Sequence, residues 1–131
     1  MLKVRIFSFS YIYNGIPVDE TGNGGGFVFD CRYIVNPGQV EEFKSLTGKD
    51  APVKEFLDTL PEMQSFLEKV YFLIDSAIEN YTKKEFTNLM VCFGCTGGQH
   101  RSVYAAEKLA EHLQEFFPAV NIELIHKNLK F

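Results

Sequence analysis

Apolar and polar positions alternate at the start of the chain. Leu2, Val4 and Ile6 interleave with Lys3, Arg5 and Phe7, and β-branched and aromatic residues continue to Tyr13. Period two predicts a strand within residues 2–13. Residues 14–26 carry no periodicity and end in Thr21-Gly22-Asn23-Gly24-Gly25-Gly26, which predicts a flexible loop. It is not a dinucleotide-binding fingerprint, because no helical pattern follows it. Phe27-Val28-Phe29-Asp30 reads as a short extended segment, and Asn36-Pro37-Gly38 as a turn.

The spacing then changes to that of helices. Val53, Phe56, Leu57 and Leu60 predict a short helix from near Pro52. Pro61 opens a longer one, acceptable in a first turn where its missing N–H is not needed. Its core-facing stripe is Met63, Phe66, Leu67, Val70, Ile74, Ala77, Ile78 and Tyr81. Leu89-Met90-Val91-Cys92-Phe93 is a continuous uncharged run, as expected of a strand buried on both faces of a parallel sheet. A further helix follows through Val103, Ala106, Leu109, Ala110, Leu113, Phe116 and Phe117, and Pro118 stops it. Val120, Ile122 and Leu124 make a last strand by alternating with Asn121, Glu123 and Ile125. The second half reads strand–loop–helix–strand. The fold class is α/β: a small, mostly parallel sheet flanked by helices, as a single domain over residues 1–131.

Composition narrows the function classes. At 131 residues and 46% apolar, with 13 Phe and 6 Tyr, the chain has material for its own core. The net charge of −4 lends no global support to nucleic-acid binding. Three cysteines, Cys31, Cys92 and Cys95, lack disulfide-like spacing, which points to a reducing, cytoplasmic setting. No apolar run approaches the ~20 residues of a membrane span, and no signal-peptide core is present.

The chemistry concentrates between the uncharged strand and the helix after it, in residues 94–102, Gly94-Cys95-Thr96-Gly97-Gly98-Gln99-His100-Arg101-Ser102. At a helix start the first backbone N–H groups lack intrahelical partners and the dipole is positive. Glycines allow a ligand to approach the backbone closely. Thr96 and Ser102 add hydroxyls, and Arg101 a fork that matches phosphate. Together they predict an anion site. The competing reading is a glycine-rich connection whose polar residues only cap a helix. The loop is not a Walker A, which would read G-x-x-x-x-G-K-S/T.

Cys95, five residues, then Arg101 and Ser102 also match the C-x5-R-S/T layout of cysteine-dependent phosphatases. There a thiolate attacks phosphorus, and Asp30 is a candidate to protonate the leaving group. Gly94 stands where such enzymes usually carry His. Cys92 and Cys95 form a C-x-x-C pair, but no second pair completes a zinc set. No metal and no cofactor is expected.

At this loop a resemblance appears. Residues 94–103 resemble the GCTGG-x-HRSV signature of the RapZ family of bacterial RNase adaptor proteins. Residues 8–17 are similar to its SFGFKYGIP segment, residues 29–37 to its FDVRFLPNP, and residues 46–53 to its LTGLDxPV. The likeness covers the family's C-terminal domain and not its kinase-like Walker A domain, so ATP or GTP binding is not implied. It implies a domain akin to part of a sugar-phosphate kinase that senses glucosamine-6-phosphate and presents small RNA to an endoribonuclease. Thr96, Gly97, Gly98, His100 and Arg101, with neighbouring Gln99 and Ser102, would hold the phosphate. Asp30, Arg32 and Asn36 would add ligand contacts, Asp30 and Asn36 as acceptors for sugar hydroxyls or an amine. For Asp30 and Arg32 a local salt bridge is the equal alternative.

Residues 21–26 depart from the family as an insertion, read as a surface loop, with a lid over the site as the alternative. The expected function is a binding or sensor module for a phosphorylated small molecule. The alternatives are an RNA-binding adaptor, using Lys3, Arg5, Lys127 and Lys130 as well, and a phosphatase using Cys95 and Arg101. The family forms oligomers through its full chain, which leaves a homo-oligomer open here.

Overall fold

β1 covers Lys3–Ser10, β2 Phe27–Asp30, β3 Asn88–Cys95 and β4 Asn121–His126, in a computed structural model that describes residues 1–129. The helices are α1 (Ala51–Asp58), α2 (Pro61–Lys83) and α3 (Arg101–Phe116). The strands form one four-stranded sheet in the order β2-β3-β1-β4, with every pairing parallel. β1 and β3 are the central strands, in register from Lys3 opposite Asn88 to Ser10 opposite Cys95. That position explains why β3 carries no charge: Leu89 to Cys95 are all buried.

The steps from β2 to β3 and from β3 to β4 run the same way across the sheet. Right-handed crossovers therefore place α1, α2 and α3 on one face. The main core lies there, with Val4, Ile6, Val91 and Phe93 against Met63, Leu67, Ile74, Leu109 and Leu113. The α2 stripe is the one the spacing predicts; Phe66, Ala77 and Tyr81 complete it as half-buried flanks.

The opposite face carries a smaller cluster of Phe7, Phe9, Met90 and Cys92, joined by Tyr11 and Ile125 and by no helical residue among those described. Residues 16–26 cover part of it. Ile16, Val18, Gly24 and Gly26 share a cavity with Met90 and Cys92. Asp19 organises this segment by accepting hydrogen bonds from the Thr21 amide and hydroxyl, the Gly25 amide and Arg5. Those donors, the Thr21 amide first, hold the Asp19 carboxyl well below the usual carboxylate range. A Cβ on Gly26 would overlap the Met90 carbonyl, so glycine is required for this close approach.

α2 ends in a left-handed turn. Glu85 has φ +58°, its N–H donates to Thr82 O at 3.1 Å, and Phe86 N–H donates to Tyr81 O at 2.9 Å. This is the Schellman arrangement, in which the left-handed position usually holds glycine. A side chain there costs ~1–2 kcal/mol, partly offset by glycine's greater unfolded-state freedom. Glu85→Gly is therefore expected to raise stability by about 0.5–1 kcal/mol, read as a higher melting temperature. An unchanged or lower Tm would show that this turn is unstrained.

Candidate anion-binding site

The strand runs further than its apolar pattern. Gly94 O accepts from Cys31 N–H at 2.7 Å and Cys95 O from Tyr11 N–H at 3.0 Å, which carries the β3 ladder through both residues. A Cβ on Gly94 would overlap the Phe9 and Tyr11 rings. The connecting loop is thus only Thr96 to His100, and Arg101 and Ser102 already lie in the first turn of α3.

The loop is held by its carbonyls. Ser10 Oγ donates to Thr96 O at 2.7 Å and Asn128 Nδ2 to Gly97 O at 2.6 Å. Gly48 N–H donates to Gln99 O at 2.9 Å and Tyr104 N–H to His100 O at 3.0 Å. Two loop side chains act in the same way. Gln99 Nε2 donates to the carbonyls of Lys44 and Leu46 at 2.8 and 2.7 Å. His100 Nε2 stands 2.8 Å from Phe43 O; a carbonyl only accepts, so Nε2 carries the proton.

The donors are left over. Among the described residues, no backbone or side-chain acceptor takes the N–H groups of Thr96, Gly97, Gly98, Gln99, His100 or Arg101. Consecutive unclaimed amides at a helix start form an anion-binding concavity. Gly98 makes the turn with φ +64°, and the space where Gly97 would carry a Cβ is open.

Arg101 lies beneath, only 3% exposed. Its Nη1 donates to Arg32 O at 2.9 Å and Ile34 O at 2.7 Å, while Nε is buried with no partner. A cleft of about 250 Å³ opens beside the loop; Thr96, Gly97, Gln99, His100, Arg101 and Asn36 line it. Pockets for drug-sized ligands run from ~300 Å³ upward, so this one suits a small anion-bearing molecule.

A family model for the RapZ C-terminal domain matches residues 2–130. The chain belongs to the RapZ C-terminal domain family. It is 42% identical over 113 residues to a nucleotide-binding protein of Thermotoga sp. (strain RQ2), covering 86% of this chain and 38% of that protein. To a nucleotide-binding protein of Fervidobacterium nodosum it is 43% identical over 108 residues, 82% of this chain and 36% of the relative. To one of Bacillus cytotoxicus it is 36% identical over 128 residues, 98% and 41% respectively. The chain thus spans about two fifths of the length of these relatives.

In this RapZ-family domain the residues expected at the site divide into two groups. Asn36 joins residues 96–101 in the cleft, its Oδ1 accepting from Gly38 N–H at 2.9 Å. Asp30 and Arg32 lie outside the cleft lining and hold one another, with Arg32 Nε and Nη2 on both Asp30 oxygens at 2.7–3.0 Å. Hydrogen bonding from Arg32 lowers the Asp30 carboxyl below its ordinary range. The Arg32 guanidinium also stacks over Tyr11 at 3.7 Å. Its backbone still reaches the site, since its carbonyl receives Arg101.

Ser102 is fully buried, and its Oγ accepts the Cys95 thiol hydrogen bond at 3.1 Å. Cys95 and Cys92 fall on opposite faces of the sheet, as a three-residue step in a strand requires, so the C-x-x-C pair cannot converge. Burial pushes the Cys92 thiol up to about 11 and Cys31 well above its ordinary value. Residues 21–26 are absent from the cleft lining, which corrects the lid alternative: Asp19 and the Met90 backbone hold that segment on the sheet face.

Sequence reasoning missed Ile12, Tyr13, Gly38 and Lys44, which also line the cleft. It also missed Ser10, whose hydroxyl ties β1 to the loop. Tyr13 was visible inside the segment similar to SFGFKYGIP, but period two placed it in a strand. Lys44 carried no local signal.

Proposed function

We propose that this domain is a binding module for a phosphorylated small molecule, with the phosphate seated on the amides of residues 96–101. The unclaimed amides beside buried, incompletely partnered Arg101 carry this reading. A dianion there would accept the loop donors, complement the α3 dipole and meet the guanidinium. The family resemblance points to a sugar phosphate, and three free cysteines suit action in the cytoplasm. The relatives are named for nucleotide binding, yet this chain holds no Walker A sequence, so ATP serves as a comparison ligand.

Two observations weigh against the other readings. For turnover by Cys95, no carboxylate among the described residues lines the cleft to protonate a leaving group, and Asp30 is bound to Arg32. For RNA, Lys3 is paired with Glu123 and Arg5 with Asp19, while Lys130 lies outside the described residues. Among the described residues no helix is long and apolar enough to cross a membrane.

Thermal-shift titration with inorganic phosphate, hexose phosphates, an unphosphorylated hexose and ATP tests the proposal. A ligand at 100 times its Kd should add about 2.7 kcal/mol of stability, a rise in Tm of several degrees. Phosphorylated ligands should shift the transition and the free sugar should not. No shift with any phosphate compound would leave the loop as a helix cap.

A further inference from the structure

At the opposite end of β3 from the anion loop, where α2 turns into Asn88, a second cavity of about 450 Å³ opens. That size falls within the range of small-molecule sites, which begins at ~300 Å³. Its polar groups are acceptors. Asn23 Nδ2 donates to Thr21 Oγ1 at 2.9 Å and Asn88 Nδ2 to Thr87 Oγ1 at 3.3 Å, and both asparagines line the cavity. With each amide nitrogen turned to a hydroxyl, Oδ1 is left without a donor among the described residues. Glu85 adds a carboxylate that has neither an ion pair nor a hydrogen bond among the described residues. No Lys, Arg or His lines the cavity.

Three further features have the same sign. The cavity lies at the C-terminal end of α2, a 23-residue helix whose dipole is negative there. Tyr81 and Phe86 form an aromatic wall, their rings edge-to-face at 5.1 Å, and Phe86 is 48% exposed. Ring faces attract cations, and Lys84, outside the lining, already holds its ammonium 5.7 Å from the Phe86 centroid. Glu85 is also the one non-glycine residue with positive φ among those described, so a carboxylate is kept where glycine would be less strained. Backbone strain held beside a cavity is a mark of function.

We propose that this cavity is a second ligand site, for an organic cation of the guanidinium type. A guanidinium is planar, carries five N–H donors and no acceptor, pairs with a carboxylate through a fork and stacks on aromatic faces. Glu85 takes the fork, Asn23 and Asn88 take the remaining donors, and Phe86 with Tyr81 covers the flat side. The site is separate from the anion loop and does not depend on it.

The test is titration followed by amide NMR shifts at pH 7 and low salt. The probes are agmatine, N-acetylarginine methylamide, which carries the same fork on a peptide backbone, and putrescine, which has ammonium groups only. Both guanidinium compounds should give saturable shifts confined to residues 23–25 and 81–90, and putrescine should bind roughly tenfold more weakly. Tighter binding of agmatine would assign a free small molecule, and tighter binding of the acylated arginine a peptide-borne side chain. Glu85→Gln and Phe86→Ala should each weaken binding roughly tenfold, about 1.4 kcal/mol, while Glu115→Gln, on an exposed carboxylate outside the cavity, should change nothing. Glu85→Gly should lose as much affinity as Glu85→Gln although it melts higher, which separates the ligand role from the fold. Absence of saturable shifts at these residues overturns the proposal. So does putrescine binding as tightly as agmatine, or a loss in Glu115→Gln equal to that in Glu85→Gln.

Discussion

Alanine in place of Gly98 should remove phosphate binding and destabilise the whole domain, whereas alanine at Gly97 should impair binding alone. Gly98 has φ +64°, and a Cβ there would stand 2.8 Å from Ser10 N and 2.9 Å from Ser10 Cβ. The left-handed backbone costs ~1–2 kcal/mol for a side chain, and overpacking against a central strand adds ~1–3 kcal/mol. The sum corresponds to a fall in Tm of about 10 °C or more for a chain of this size. Relief of the overlap would tilt the loop amides out of their shared concavity. At Gly97 no atom lies within 4 Å of an added Cβ and φ is ordinary, so folding should be indifferent. The added methyl would instead stand in open space beside the loop and weaken affinity. A Gly98→Ala protein that melts and binds like the parent would show that the turn adapts freely. Equal effects at the two glycines would show that the loop has no distinct inner and outer side.

The second large effect is expected at Arg101. Its guanidinium serves two structures at once, the carbonyls of Arg32 and Ile34 on one side and the cleft on the other. Arg101→Met keeps much of the side-chain volume but leaves both carbonyls without that donor. A buried acceptor left unsatisfied costs ~1–3 kcal/mol, so the two carbonyls together should lower stability by about 2–6 kcal/mol. Affinity for inorganic phosphate should drop by roughly a hundredfold or more, the scale of a lost charge-assisted bidentate contact. Arg101→Lys restores the charge without the planar fork and should recover part of the affinity and little of the stability. Chemical denaturation and phosphate titration on the same samples separate the two losses. Unchanged affinity in a folded Arg101→Met protein would remove arginine from the site.

Much of this architecture was readable from local pattern. The α2 stripe, the two glycines of the loop and the charge-free β3 each record an environment in a few consecutive residues. A helix face needs period 3.6, a strand buried on both sides excludes charge, and a left-handed turn such as that at Gly98 favours glycine. The boundaries were less legible. The run that ends at Phe93 in hydropathy continues structurally to Cys95. Gly94 there is a strand residue, kept small by the Phe9 and Tyr11 rings, and nothing in its own neighbourhood of sequence says so.

Pairings between distant segments were not legible at all. Gln99 and His100 are polar residues in a phosphate-type loop, and their side chains turn to the carbonyls of residues 43–46 instead. Asp30 and Arg32 are two residues apart, so each can meet a ligand or the other; here they close on each other. The single-sided placement of the helices depends on the order β2-β3-β1-β4, which no local pattern encodes.

By itself the sequence determined the α/β class, the parallel central strand, the glycine-rich turn into α3 and membership signals of the RapZ family, because each rests on contiguous residues whose types follow from backbone geometry. Only the tertiary structure decided which loop donors remain unclaimed, that the Ser10 hydroxyl ties β1 to the loop at Thr96, and that carboxylates are missing from the cleft lining among the described residues. Those facts are sums over segments tens of residues apart, and a hydrogen-bonding group shows whether it is satisfied only once its distant partners are in place.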